Sequence, residues 1–187
     1  VVTASRQEER RLRAPASISV LDRLEIEEHP QLTTLDQVRN ETGVDFASKG
    51  LIQHNLSMRG VRWTASITPL LLTDYRFAHI PMLDFTIAYA IPTTGDDVER
   101  IEIVRGPNTV MYGPNSAQGV IHVISRSPFE APGTMLSATA GERALFQGAF
   151  RHAAVVNDKL AVKVSGRWLN ADDWVYVDPV EQQNRED

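Results

Sequence analysis

The chain has 187 residues, no cysteine, and 19 basic against 24 acidic side chains for a formal net charge of -5. That length holds one ordinary domain, or a smaller domain with part of a second, and a composition of 42% hydrophobic and 23% charged residues is that of a folded chain. The intermingled charges exclude a basic face for nucleic acid, and the missing cysteines exclude disulfide frameworks, thiolate metal sites and cysteine nucleophiles together.

The opening VVTAS reads as a short strand and RQEERRLR as a solvated connection. ASISVL alternates like a strand. Asp22 then stands where its carboxylate can accept from the free amides of a short helix running to Glu28, and His29–Pro30 ends that helix. A second helix is predicted from Thr33 or Thr34, with Leu32, Leu35 and Val38 on one face and Gly43 as a left-handed C-terminal cap. IQHNLSMRG and ITPLLLTD read as strands linked through residues 61–66, the second apolar enough to be buried on both faces. Residues 75–97, with Pro81, Pro92 and Gly95, form the longest stretch without periodicity, the kind of loop that more often carries function than filler. VERIEIVRG alternates as a strand, GPNTVMYG allows one helical turn capped by Asn108 and closed by Gly113, and VIHVIS is the next strand.

After Pro128 and Pro132 the pattern changes. Lys159, Lys163, Ser165 and Arg167 alternate with Leu160, Val162, Val164 and Trp168, a strand apolar on one face and polar on the other. With Asn157–Asp158 as a tight turn, and with TMLSATA and the Phe146–Arg151 alternation upstream, this predicts a three-strand antiparallel meander. No apolar run reaches the roughly 20 residues of a spanning helix, so any crossing of a membrane must use strands. The two longer strands suffice, at about 9–11 residues per tilted crossing. Three strands leave two edges and one face uncovered, which predicts further wall strands beyond this chain. The start lacks the apolar core of a signal peptide, so an exported form would have had its signal removed.

Gly106, Gly113 and Gly119 fit tight reversals between buried strands. A phosphate cradle is the competing reading, and no Gly-Lys-Ser/Thr follows at the required spacing. His29, His54, His79, His122 and His152 show no metal-ligand spacing, and no GxSxG elbow is present. Neither a protein-held metal or other cofactor nor enzymatic catalysis is expected.

In order and spacing these segments resemble the plug of TonB-dependent outer-membrane receptors over roughly residues 1–127. VVTASR and PASISVL are similar to that family's first strands, LTTLDQVRNETGVDF to its helix and following turn, LSMRGV to its first Arg-Gly strand end, and VERIEIVRGPNTVMYGPNSAQGVIHVIS to its signature. The resemblance implies an α+β plug domain (1–127) with a small mixed β-sheet and short helices, then a linker and an antiparallel three-strand fragment of a transmembrane β-barrel (128–187). Such a barrel has about 22 strands and needs a plug to fill its lumen. It further implies an outer-membrane location, an extracellular small ligand such as a siderophore or similar metal chelate, import energised by TonB through a segment upstream of this chain, and contact with lipid and with the protein's own barrel. Arg59 and Arg105, each before glycine at a strand end, would latch the plug onto carboxylates of the wall; an intradomain pair with Glu99 or Glu102 is the alternative. Arg62, Trp63, Tyr75, Arg76, Phe77 and His79 match the apical ligand loops, although loop packing or exposure explains each equally well. The chain departs from the family where Asp74-Tyr75-Arg76 stands for Asp-Gly, Gln118-Gly119 for Gly-Gly, and His122 for an asparagine. Rival functions are a receptor used mainly for signalling or adhesion, and a soluble plug-like binding module.

Overall fold

The computed structural model describes residues 17–29, 32–48, 50–58, 69–78, 91, 93–113, 116–177 and 184–186. The strand expected at VVTAS and the link at 61–66 lie outside them.

Strand β1 (Ser17–Leu21) leads into helix α1 (Arg23–Glu28). Asp22 accepts the Glu25 amide at 3.1 Å while Glu25 reaches back to the Asp22 amide at 3.0 Å, so two otherwise orphaned donors are satisfied reciprocally. The next helix, Thr34–Asn40, is a 3-10 helix. Its three-residue repeat stacks Leu35 above Val38, and both are fully buried. The helix ends at Asn40, so Gly43 is not its cap. Gly43, at φ +79°, turns the chain within a loop closed by Val44 N–H to Glu41 O at 3.1 Å.

That turn starts β2 (Val44–Ser48), a strand the sequence reading did not assign, which pairs antiparallel with β3 (His54–Met58). Asp45, Ala47 and Ser48 carry little strand propensity, and the cross-strand partner makes the strand. The central sheet takes the order β1, β6 (Val98–Arg105), β7 (Gly119–Ser125), β4 (Leu70–Thr73), β5 (Arg76–Phe77). β6 runs antiparallel to both neighbours, whereas β4 and β7 are parallel, giving a mixed sheet. One face (Leu71, Ile101, Ile103, Ile121, Val123) packs on Ile26, Leu35, Val38, Leu56 and Met58 from the helices and hairpin. The other gathers Ile18, Leu70, Leu72, Val104 and Val120 around Tyr112 of α2 (Thr109–Tyr112).

Asn108 precedes α2 but makes no side-chain cap; its amide donates instead to Gly106 O at 3.0 Å. Gly106 and Gly113 both take positive φ on either side of that turn. Gly119 is required by space as well: a Cβ there would lie 2.6 Å from Met58 Sδ and 2.6 Å from Val104 O.

β8 (Gly133–Ala140), β9 (Phe146–Asn157) and β10 (Leu160–Asn170) form a separate antiparallel sheet with β9 in the middle, as the alternation predicts. Its outer face exposes Leu136, Phe150, Val162, Val164 and Trp168, while Ala149, Arg151 and Ala153 of β9 point inward and are buried. The polar tail contributes a small ladder of β11 (Val175–Val177) with β12 (Asn184–Glu186), not foreseen from its composition.

Candidate functional site

The two sheets meet along a polar seam centred on Asp97. This residue ends a 3-10 turn (Gly95–Asp97) immediately before β6, and only 2% of it is exposed. Arg126 N–H donates to its carbonyl at 2.8 Å, which ties the end of β7 to the start of β6. Its carboxylate faces the wall. Arg151 Nε of β9 donates to Oδ1 at 2.5 Å and Lys163 Nζ of β10 to Oδ2 at 2.8 Å. Arg151 also donates to Ala131 O at 2.7 Å, and Lys163 to Ser125 Oγ at 2.8 Å and Arg126 O at 2.9 Å. Arg151 and Asp97 are both buried, so removing Asp97 leaves the Arg151 guanidinium desolvated without a counter-charge, whereas removing Arg151 leaves Asp97 with Lys163 as its one cation.

The seam extends in both directions. Asp96 accepts a hydrogen bond from Ser137 of β8. Further up β10, Arg167 donates to Leu32 O at 2.7 Å, just ahead of the Thr34–Asn40 helix. Beyond β10, both carboxylate oxygens of Asp173 accept the Leu51 amide, at 3.2 and 3.3 Å. A Cβ at Gly50 would lie 2.3 Å from that carboxylate, so the β2–β3 loop approaches the wall through a bare backbone. Lys163 and Arg167 occupy alternate inward positions of β10, as the polar face predicts. The residues missed by sequence reasoning are Asp97 and Asp173. Asp97 lay at the end of an aperiodic stretch and Asp173 in a polar tail, where nothing in the pattern sets one carboxylate apart.

Arg105 has its partners in the first sheet and its surroundings. Its guanidinium donates to Thr42 O at 2.5 Å, Ser19 Oγ at 2.7 Å and Glu41 at 3.2 Å. The two carboxylates weighed as alternatives lie elsewhere, Glu99 at 3.9 Å from Arg126 and Glu102 at 2.9 Å from Arg100. At the seam the polarity is the reverse of the expected latch, with cations on the wall and a carboxylate on the sheet they grip. Arg59, Arg62, Trp63 and His79 lie outside the described residues.

Tyr75, Arg76 and Phe77 come together on the β4–β5 hairpin. Thr73 pairs with Arg76 across a two-residue turn in which Asp74 and Tyr75 take φ of +46° and +65°. Arg76 and Phe77, with Asp74, Asp97, Ser125 and Lys163 among others, line a cavity of about 350 Å3 between hairpin and wall. This places them three positions into β10, nearer the Asn157–Asp158 turn than the end at Asn170.

Two buried histidines serve the sheet domain. His54 Nε2 lies 3.0 Å from Asp36. Burial opposes ionisation of Asp36, but the hydrogen bond and charge of His54, with the Thr33 amide and hydroxyl, hold the carboxyl below its ordinary pKa. His122 accepts the Tyr75 amide at 3.1 Å. Burial lowers its pKa, against the pull of Glu102 and Asp74 and with a small further push from Arg100. Among the described residues no group of three or more His, Asp or Glu side chains is arranged to hold a metal ion.

The family model described as the TonB-dependent receptor plug domain matches residues 10–120. The chain is 35% identical over 75% of its length to the vitamin B12 transporter BtuB of Vibrio cholerae, covering 23% of that protein. To the vitamin B12 transporter BtuB of Vibrio vulnificus it is 27% identical over 96% of its length, covering 29%. In solved structures, the ferric enterobactin receptor PfeA of Pseudomonas aeruginosa superposes with a TM-score of 0.63 at 20% identity, over 86% of this chain and 25% of that one. The chain thus spans under a third of each relative.

Proposed function

Because the chain belongs to the TonB-dependent receptor plug family, whose matched relatives are transporters and receptors rather than enzymes, we propose that it forms the gate and first wall strands of an outer-membrane importer. The plug ends near residue 127 and the wall follows. The observation that carries this reading is the seam. Arg151 and Lys163, inward-facing on a sheet whose other face is apolar and exposed, close on the buried Asp97 of the sheet domain. That is the arrangement of a lipid-facing wall whose lumenal side grips a plug.

In this reading Asn157–Asp158 is a periplasmic turn and the segment after Asn170 faces outside. Ligand binds at the outer mouth, where Arg62, Trp63 and His79 are the proposed contacts. Arg76 and Phe77 meet it at the seam cavity as it passes inward. TonB, acting on a segment upstream of this chain, supplies the pull that loosens the plug. Arg59 and Arg105 are proposed as further wall contacts, Arg105 reaching the wall from a guanidinium already paired with Glu41. The proposed cargo is a scarce organic metal chelate. Vitamin B12, carried by the named transporters, is the first candidate and a ferric siderophore the second.

Uptake of radiolabelled cyanocobalamin and of ferric siderophores by cells carrying the full-length receptor tests this. Uptake is expected to vanish without TonB and to fall with Arg62→Ala and His79→Ala. Uptake that survives loss of energised coupling sinks the import reading and favours the signalling or adhesion rival.

A further inference from the structure

The β4–β5 hairpin turns on two residues with positive φ, Asp74 and Tyr75, neither of them glycine. Such a turn suits the twist of a hairpin, but with these residues it is strained and has to be held by its surroundings. Four hydrogen bonds hold it. Asp74 N–H donates to Val123 O at 3.0 Å. The Asp74 carboxylate accepts Ser125 N–H at 2.8 Å and the Ser125 hydroxyl at 2.7 Å. Tyr75 N–H donates to His122 Nε2 at 3.1 Å, and the Tyr75 ring meets the imidazole edge-on at 4.6 Å.

A backbone amide can only donate, so His122 Nε2 must be the unprotonated nitrogen and the ring must be neutral, with its proton on Nδ1. Nδ1 has no hydrogen-bond partner among the described residues. His122 faces Glu102 and Arg100 on β6, Asp74 and the Tyr75 phenol on the turn, and apolar Leu72 beside it on β4. Two of the three departures from the family pattern, tyrosine for glycine and histidine for asparagine, therefore meet in one contact.

We propose that His122 is a proton-operated catch on this hairpin: protonation at Nε2 sets a donor against the Tyr75 amide and lets the strained Asp74–Tyr75 turn open. The opening reaches the seam, because the Ser125 hydroxyl that Asp74 accepts is itself the acceptor of Lys163 Nζ, which pairs with Asp97. Acid thereby loosens the wall contact from the plug side and uncovers the cavity behind Arg76 and Phe77. The catch stands on local geometry alone, whereas its effect on the seam rests on the plug-and-wall reading above. The sign follows from burial. His122 takes its proton less readily in the folded chain than in the unfolded one, so its contribution is whole above the ordinary imidazole pKa and is lost as pH falls through that value toward the folded one.

Hydrogen exchange read by mass spectrometry on the full-length receptor in lipid vesicles, corrected for intrinsic exchange, tests the catch between pH 7.5 and pH 5. Peptides spanning 71–78 are expected to open roughly fivefold more at pH 5, the scale of one lost hydrogen bond. His122→Asn keeps an acceptor that does not titrate and should abolish that rise. Equal opening at both pH values in the native receptor, or the same rise in His122→Asn, overturns the catch. Tyr75→Gly keeps the amide and relieves the positive φ, so it should open less than native at pH 5; equal or greater opening removes strain from the account. A parallel rise at residues 95–98 supports coupling to the seam. A flat response there while the hairpin opens overturns the coupling and leaves the catch standing.

Discussion

The two sheets of this chain use the same residue types in opposite senses. In the five-stranded sheet Ile101, Ile103 and Ile121 are completely buried, and the buried Glu102 is paired with Arg100 of its own strand. In the three-stranded sheet Val164 is 60% and Trp168 59% exposed, while Arg151, on the inner face, is only 3% exposed. A water-soluble domain hides its apolar face. A wall in lipid shows it and hides its charges against whatever fills the lumen. The inversion makes the seam the place where the two regimes have to be reconciled, and a single carboxylate, Asp97, pairs with cations from two wall strands.

The largest expected effect comes from breaking that reconciliation. Asp97→Ala strands Arg151 and Lys163 without a counter-charge and should destabilise plug docking by about 3–5 kcal/mol, read as a lower urea midpoint for the plug in the full receptor. Placing a charge on the outward face tests the other half of the contrast. Val164→Arg should cost roughly 2–4 kcal/mol near the bilayer midplane, measured as folding into lipid vesicles, whereas the same change in a purely soluble sheet would cost next to nothing at so exposed a site. Within the first sheet, Asp22→Ala removes a capping box and should cost about 1 kcal/mol, visible as a small fall in the urea midpoint of the plug.

A pH titration sharpens the contrast further. The lowered pKa of Asp36 means that its ionised form stabilises the fold above the ordinary carboxylate pKa, and that this contribution is lost as pH falls through the folded value. Asp36→Asn should therefore flatten the acid limb of plug stability and leave the wall's acid response unchanged. An unaltered acid limb would place the sensitivity in other carboxylates.

Much of this was legible in the sequence because the signals were local or periodic. Asp22, Leu35, Val38, the ITPLLLTD strand and the alternation through Lys163 and Trp168 each announce their element within a few residues. β2 was not legible, since Asp45, Ala47 and Ser48 become a strand only by pairing with His54–Met58. Gly43 does take the positive φ its place in the sequence suggests, but in the turn leading into β2, because the helix already ends at Asn40 with Glu41 as its cap. The seam was half visible. The period-2 pattern marks Lys163 and Arg167 as inward, but their partners on the first sheet are remote in sequence, with 135 residues separating Arg167 from Leu32. Contacts at such range leave no periodic trace. The hairpin at Asp74-Tyr75 shows in the sequence only as a departure from Asp-Gly, and its dependence on His122, 47 residues away, needs the two brought together in space.

The central claim, that Asp97 is the point at which the wall grips the plug, is tested most directly by a double-mutant cycle on Asp97→Ala and Arg151→Ala. Plug stability would be read in the full-length receptor. The account predicts a coupling energy well above about 0.5 kcal/mol, the usual deviation for independent sites, and toward the upper end of the 0.5–3 kcal/mol seen for residues in contact. Additivity of the two substitutions within that deviation would contradict it.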